Sequence, residues 1–332
     1  MIHRPVQINK FNFNIQYKHP EDPECVVGEF QASYDEKRIA TLRVAGTHRK
    51  NVAEIFSNEC ALRMGLPHID CAIAKFPERI LRDVGYFNLT TFKGATDTKQ
   101  KEGVIKDRYP IDDVLREITL ADVEQEYRNI YNMETFDGTV CALRDKFGEK
   151  IANTFIEQQL FRITVGNSNT NLIELFNVAV RTNGMLQTFP VIDGCNALAN
   201  GQIHENDYIK YSSNRYVNYA NFPAMRQYED ELMQQPHALL ADENAKQSSQ
   251  QDILEHIAQT YPEQSQKYFE KLQKIDEEDM AYICDIMTSN GTLGLGEGEF
   301  IQDFMFFRMN TVAHTLAQNL GYCSCEETAV EQ

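Results

Sequence analysis

Two short polar segments carry residue types that can do chemistry together. Gly166-Asn167-Ser168-Asn169-Thr170-Asn171 follows a long apolar-striped segment, and Asp193-Gly194 closes an apolar run further on. Between them lie two apolar runs, Leu175–Val180 and Met185–Ile192, joined through Asn183-Gly184. An Asn-Gly pair between apolar runs favours a type I′ hairpin turn. Such a hairpin sets the loops at its outer ends side by side. The small amides and hydroxyls of the first loop bond their own backbone and hold a fixed shape. Such a loop can orient a nucleophile. Asp193, with Glu174 at the start of the first strand, offers oxygen donors of the kind that hold hard divalent cations. The chemistry these residues allow is cation binding by oxygen donors beside a polar, self-bonded loop.

The surrounding elements must position these loops. Phe11, Phe13 and Ile15 alternate as in a strand, and Arg38–Val44 reads as another, with Ala40, Leu42 and Val44 on one face. Asn51–Met64 reads as a helix, because Val52, Phe56, Cys60 and Met64 step by four with Ile55 beside them. Gly65 ends it and Pro67 follows. His68–Phe76 and Gly85–Phe92 read as strands, and Lys93–Pro110 as a charged surface loop. From Ile111 helices are expected to dominate. Glu149–Val165 is the strongest, with Ile151, Phe155, Ile156, Leu160 and Ile163 on one stripe. Residues 223–250 are rich in Gln, Glu, Asp and Ser, and helices return from Gln251. Phe300–Leu320 places Ile301, Met305, Val312, Leu316 and Leu320 on a stripe.

The 332-residue chain fits about two domains, or two lobes around one cleft, at ~150 residues per domain. Apolar residues are 42% and charged residues 24%, the balance of a globular protein rather than a disordered one. No apolar run reaches the ~18 residues that read as a membrane span. The opening Met1-Ile-His-Arg-Pro-Val6 leads into polar sequence without an apolar h-region, so no secretory signal is expected. A net charge of −17 repels nucleic-acid backbone, which argues against general DNA or RNA binding. Eight cysteines are scattered without a C-x-x-C pair. Free buried thiols in a reducing cytoplasm are the expectation, with Cys60 and Cys71 in apolar stretches.

A β-rich start with one helix, then helices, an Asn-rich loop, a hairpin and Asp-Gly is the order of protein-kinase-like folds, where one loop orients the nucleophile and the other holds Mg²⁺ on ATP. On these residues the chain resembles the HipA-like kinases, the toxin kinases of bacterial toxin–antitoxin modules. Phe161-Arg-Ile-Thr-Val-Gly-Asn-Ser-Asn-Thr-Asn171 is similar to that family's aromatic-rich helix followed by G-N-x-D-x-H-x-K-N. Phe189-Pro-Val-Ile-Asp193 resembles its strand ending in the metal-binding Asp, and Glu54–Leu66 its small-lobe helix. Tyr86–Lys93, including Phe92, resembles the strand leading to the adenine-holding hinge. The similarity spans roughly residues 30–320.

The resemblance implies an α+β, two-lobed fold: a β-rich lobe over residues 1–95 with one helix, a mainly helical lobe over 96–325, and a tail over 326–332. It implies an ATP and Mg²⁺ site in which Arg43 takes the place of the phosphate-clamping Lys, near Glu54 and Phe92. Asp193 would be a metal ligand, joined by Glu174, or by Asn177 if the loop carries an insertion. The catalytic Asp falls on Asn169, the following His on Asn171 and the Lys on Ile173. Gln31–Lys37 stands where the phosphate loop would be, without a glycine. A neutral Asn169 cannot take a proton as a carboxylate does, and a positioned base is worth ~10²–10⁴-fold. Arg43 can contact phosphate, but its planar fork differs from a compact ammonium. The leading expectation is a HipA-like pseudokinase that retains ATP and Mg²⁺ and acts through a protein partner. The alternatives are a divergent active Ser/Thr kinase or nucleotidyl transferase in the same cleft, and a helical interaction protein without nucleotide.

Plainer readings stand beside these. Glu54 follows Asn51 by three, a capping-box spacing, and could cap the helix rather than pair with Arg43. Asn169 and Asn171 could be turn residues, and Asp193-Gly194 an ordinary strand end. Gly291–Glu299 mimics a phosphate loop but lacks the Lys-Ser/Thr, and its Glu297 and Glu299 would repel phosphate. It reads as a flexible linker between helices. The histidines have no zinc-ligand spacing, and no G-x-S-x-G is present.

Overall fold

The computed structural model describes residues 6–7, 14–18, 26–35, 38–45, 48–66, 68, 71–77, 100–110, 114–119, 133–167, 177–181, 186–188, 197–198, 249–289, 293 and 295–322. In chain order the first part contains β1 (Val6–Gln7), β2 (Asn14–Lys18), β3 (Val26–Asp35), β4 (Arg38–Ala45), α1 (His48–Arg63), β5 (Cys71–Pro77) and β6 (Gln100–Pro110). These strands form one six-stranded sheet in the order β1-β5-β6-β4-β3-β2. The β1–β5 pair is parallel and the rest are antiparallel.

Helix α1 lies against the sheet and is buried along most of its length. Its expected apolar positions Val52, Ile55, Phe56, Cys60 and Met64 are all in the core. Asn51, Glu54, Ser57 and Asn58 are buried as well, so the helix is enclosed rather than half-exposed. It ends as its sequence predicts. Gly65 takes φ +65°, its N–H donates to Leu62 O at 3.0 Å, and the Leu66 N–H donates to Ala61 O at 2.8 Å. That is a Schellman cap.

A second sheet of three strands contains β7 (Val114–Thr119), β8 (Asn177–Arg181) and β9 (Leu186–Thr188), with β8 in the middle. Seven helices are found among the described residues. Besides α1 they are α2 (Met133–Phe147), α3 (Glu149–Thr164), α4 (Gln250–Thr260), α5 (Pro262–Leu272), α6 (Glu277–Ser289) and α7 (Leu295–Asn319). Ser249 and Asp252 close a reciprocal capping box at the start of α4. Pro262 begins α5, where its missing N–H costs nothing. The Asp137 carboxylate accepts the Tyr261 hydroxyl at 2.7 Å and lies 3.0 Å from His256 Nε2, joining α2 to the α4–α5 corner. Helix α7 packs on α6, α4, α5 and α3, and one continuous core runs from α1 and the large sheet into these helices. Arg63 of α1 pairs with Asp279 of α6 and sits 4.8 Å over the Tyr282 ring. No helix among the described residues is long and apolar enough to cross a membrane.

Several expectations are corrected. Lys93–Pro110 is not a surface loop throughout, because Gln100–Pro110 is β6, an interior strand between β5 and β4. Its charged composition hides the strand period, while the buried Val104 marks its inner face. Helices dominate after Ile111 as expected, but a strand not foreseen, Val114–Thr119, precedes them as β7. The hairpin exists, but its register pairs Val180 with Leu186. A two-residue Asn183-Gly184 turn would pair Val180 with Gln187. The observed partner of Val180 lies one residue earlier, the register of a three-residue rather than a two-residue connection. The glycine-rich stretch is also no linker over its whole length, because α7 begins at Leu295. A side chain at Gly298 would meet Thr288 Oγ1 at 3.3 Å and Cys284 Cβ at 3.7 Å, so this glycine lets α7 approach α6 closely. Helix α1 starts at His48, which puts Asn51 inside it and removes the Asn51–Glu54 capping box.

Candidate functional site

The site is built on the end of α3. Its stripe of Ile151, Phe155, Ile156, Leu160 and Ile163 is fully in the core, as the periodicity predicts. Gly166 stops the helix at φ +63°. The Gly166 N–H donates to Ile163 O at 3.1 Å and the Asn167 N–H to Arg162 O at 2.9 Å, a second Schellman cap. Asn167, the first amide of the polar run, is 2% exposed and belongs to the packed interior.

Three further groups hold this helix end. Arg308 of α7 is fully buried and its Nε donates to Ile163 O at 2.7 Å. A cation at a helix C-terminus also opposes the partial negative charge of the last carbonyls. The hydroxyl of Tyr268 on α5, fully buried, donates to Thr164 Oγ1 at 2.6 Å, and Thr164 in turn donates to Leu160 O at 2.8 Å. Burial pushes the Tyr268 phenol well above its ordinary range, so it remains a neutral donor. The third is the backbone of Leu198, whose N–H donates to Val165 O at 2.8 Å. Leu198 holds φ +56°, a region that non-glycine residues seldom occupy, and is 3% exposed. Its backbone hydrogen bond and burial together hold that conformation.

The bond between Leu198 and Val165 joins the flanks of the two motifs. Val165 is four residues before Asn169, and Leu198 is five after Asp193. Asn169, Asn171, Glu174, Asp193 and Phe92 themselves lie outside the described residues, as does the Gly85–Phe92 strand. Asn177 is the first residue of β8, paired with Thr119 of β7. Arg43 stands in β4 across from Glu29 of β3 and Val104 of β6, and Val104 stands across from Ile73 of β5. Ile73 and Val104 join the core that contains Val52 and Phe56 of α1. Position 43 is therefore in the cross-strand row adjoining that core. Glu54 lies within α1 at 1% exposure, and its carbonyl accepts Ser57 Oγ at 3.1 Å and Asn58 Nδ2 at 2.9 Å. Sequence reading missed Arg308, Tyr268 and Leu198. The first had a visible signal, a lone arginine in step with an apolar helical stripe.

Cys60, Cys71 and Cys284 are buried and form no disulfide, in line with the expected buried thiols. Among the described residues, no three His, Cys, Asp or Glu side chains are grouped to hold a metal ion.

No family model matches the sequence, and no curated protein matches it. The fold does have solved counterparts. The crystal structure of a Helicobacter pylori proinflammatory kinase, CtkA, aligns with a TM-score of 0.64 at 13% identity, over 97% of this chain and 100% of that one. The chain thus has a kinase-like fold. HipA in a Shewanella oneidensis complex with HipB and operator DNA aligns at 8% identity over 97% of this chain and 67% of that one, with a TM-score of 0.36. Hydra Fam20 with sugar aligns at 12% over 89% and 82%, with a TM-score of 0.40. These last two likenesses are too weak to argue from.

Proposed function

We propose that this chain is a HipA-like pseudokinase that binds ATP with Mg²⁺ and works through a protein partner in the cytoplasm. The observation that carries the reading is the Leu198–Val165 hydrogen bond, which ties together the flanks of the Asn169 and Asp193 segments at the locked end of α3. In this reading the large sheet with α1 is the nucleotide-covering lobe and the helices form the other. Arg43 contacts phosphate and is held by Glu54. The support for that pairing is the position of Arg43 in the row beside Val104 and Ile73, with Glu54 buried in the helix packed on β5 and β6. Phe92 packs near the adenine.

The metal proposal rests on donor chemistry. Asp193, Glu174 and Asn177 offer carboxylate and amide oxygens, the ligands that suit Mg²⁺. When bound, the ion would neutralise phosphate charge. Asn169 and Asn171 hold polar groups without a base, which favours binding over transfer. A second reading, a divergent active kinase or nucleotidyl transferase, is favoured by the retained acids Asp193 and Glu174.

The test is calorimetric titration of ATP into the full chain, with Mg²⁺ and then with EDTA, for the wild type and Asp193→Ala. We expect saturable Mg²⁺-dependent binding that disappears in the variant. No binding in either condition overturns the nucleotide assignment. Incubation with γ-labelled ATP separates the two readings, because label transferred in an Asp193-dependent way defeats the pseudokinase and establishes the transferase.

A further inference from the structure

Helices α3 and α5 enclose a groove of about 610 Å³ on the outer side of α3. Its chemistry is opposite to that of the chain as a whole. Lys150, Lys267, Lys271 and Lys274 line it against Glu157 and Glu270, a local charge of +2 on a chain of −17. Lys271 pairs with Glu157 across the groove, and the Gln264 side-chain amide donates to Asn153 Oδ1 at 3.0 Å. These two bridges fix one wall against the other. Glu270 accepts from Gln266 one turn earlier. Lys150, Lys267 and Lys274 are exposed, and among the described residues none has a carboxylate within ion-pairing distance. Three ammonium groups thus share one concave site with no carboxylate partner among the described residues.

We propose that this groove binds a small anion carrying two or more phosphate groups. Lysine ammoniums bind phosphate as compact point charges. A single phosphate would meet one or two of them, whereas Lys267 stands within α5 and Lys274 in the turn just past its end, seven residues on, so the lining ammoniums are spread along the groove. The volume falls within the few hundred to ~1,000 Å³ of small-ligand sites. The −17 surface excludes a long polyanion, since nucleic acid would extend past the groove into a repelling field. A compact ligand stays within the roughly 10 Å over which local charges act. The groove runs along the first half of α3, away from its Gly166–Asn167 end, and does not depend on the nucleotide reading.

The test uses sodium tripolyphosphate as the probe, titrated calorimetrically into the full chain at low ionic strength and again at high. The variants are Lys267→Gln/Lys274→Gln, Lys267→Arg/Lys274→Arg and Asp193→Ala. The substituted lysines are exposed, so the fold should survive, which circular dichroism checks. We expect saturable binding that weakens with salt, is unchanged in Asp193→Ala and is retained with arginines. The double glutamine variant should bind at least about tenfold more weakly, as expected when charge-assisted contacts are lost. Equal affinity in the glutamine variant overturns the proposal, as does absence of saturable binding in the wild type. Loss of binding in Asp193→Ala also overturns it, because the probe would then sit in the proposed nucleotide cleft.

Discussion

Arg308 shows how one side chain can hold the end of a helix it does not belong to. A guanidinium taken out of water is costly unless its donors are used. Its Nε reaches Ile163 O, a carbonyl at the end of α3 that also accepts the Gly166 N–H. Arg308→Ala therefore removes a charge-assisted bond and leaves a cavity in the core. We expect a loss of about 3 kcal/mol, read as a lower urea midpoint at unchanged m value. Tyr268→Phe should cost about 1 kcal/mol by the same measurement, because only its bond to Thr164 is lost. If both variants unfold at the wild-type midpoint, the end of α3 is held by something else. The stripe Ile301, Met305, Val312, Leu316 leaves a gap of seven residues in which position 308 is in phase with the core. A charged residue there was a signal of a buried polar contact that the sequence reading passed over, and its partner gave no signal, since Ile163 is remote in sequence.

Helix ends were the most readable elements. Gly65, Gly166 and Gly321 each take positive φ and close a Schellman cap, for α1, α3 and α7 in turn. At φ +63° a side chain is disfavoured, so Gly166→Ala should destabilise by about 1 kcal/mol. Gly321→Ala should cost about the same, which makes the pair informative. Under the proposed function only Gly166→Ala, at the base of the Asn169 loop, should also weaken ATP titration. Equal ATP affinity in both variants would separate that loop from nucleotide binding. The apolar stripes of α1, α3 and α7 were legible because each helix carries its burial pattern within itself. β6 was not, because Gln100–Pro110 becomes a strand through its pairing with β4 and β5, and its own residues alternate weakly. The hairpin was legible as a hairpin, but its register depends on connection length, which the Asn-Gly pair alone misjudged by one residue. For the candidate site, the order of motifs pointed to a kinase-like fold, while the Arg308 and Tyr268 supports come from helices more than a hundred residues downstream.

For the whole molecule, alkaline pH tests how the core is shared. Burial pushes the Cys284 thiol up to about 12, and burial first, then neighbouring Cys284 and Glu59, raises Cys60 well above the ordinary value near 9. Both thiols are thus neutral in the folded protein at pH values where an exposed thiol has ionised. Between pH 9 and 12 the unfolded chain has lost protons that the native chain keeps. The stabilisation is complete below pH 9 and disappears as pH rises toward the raised values of the folded thiols. The urea midpoint should hold steady from pH 7 to 9 and then fall, and Cys284→Ala should flatten the fall by one thiol's share. Net charge gives a competing cause. The −17 chain grows more negative as lysines and tyrosines deprotonate, and self-repulsion also favours unfolding. Salt distinguishes the two causes, because repulsion between surface charges is screened while the desolvation of a buried thiolate is not. A decline that survives high salt and is shallower in Cys284→Ala assigns it to the core joining α1 to α6. One that salt abolishes assigns it to the surface.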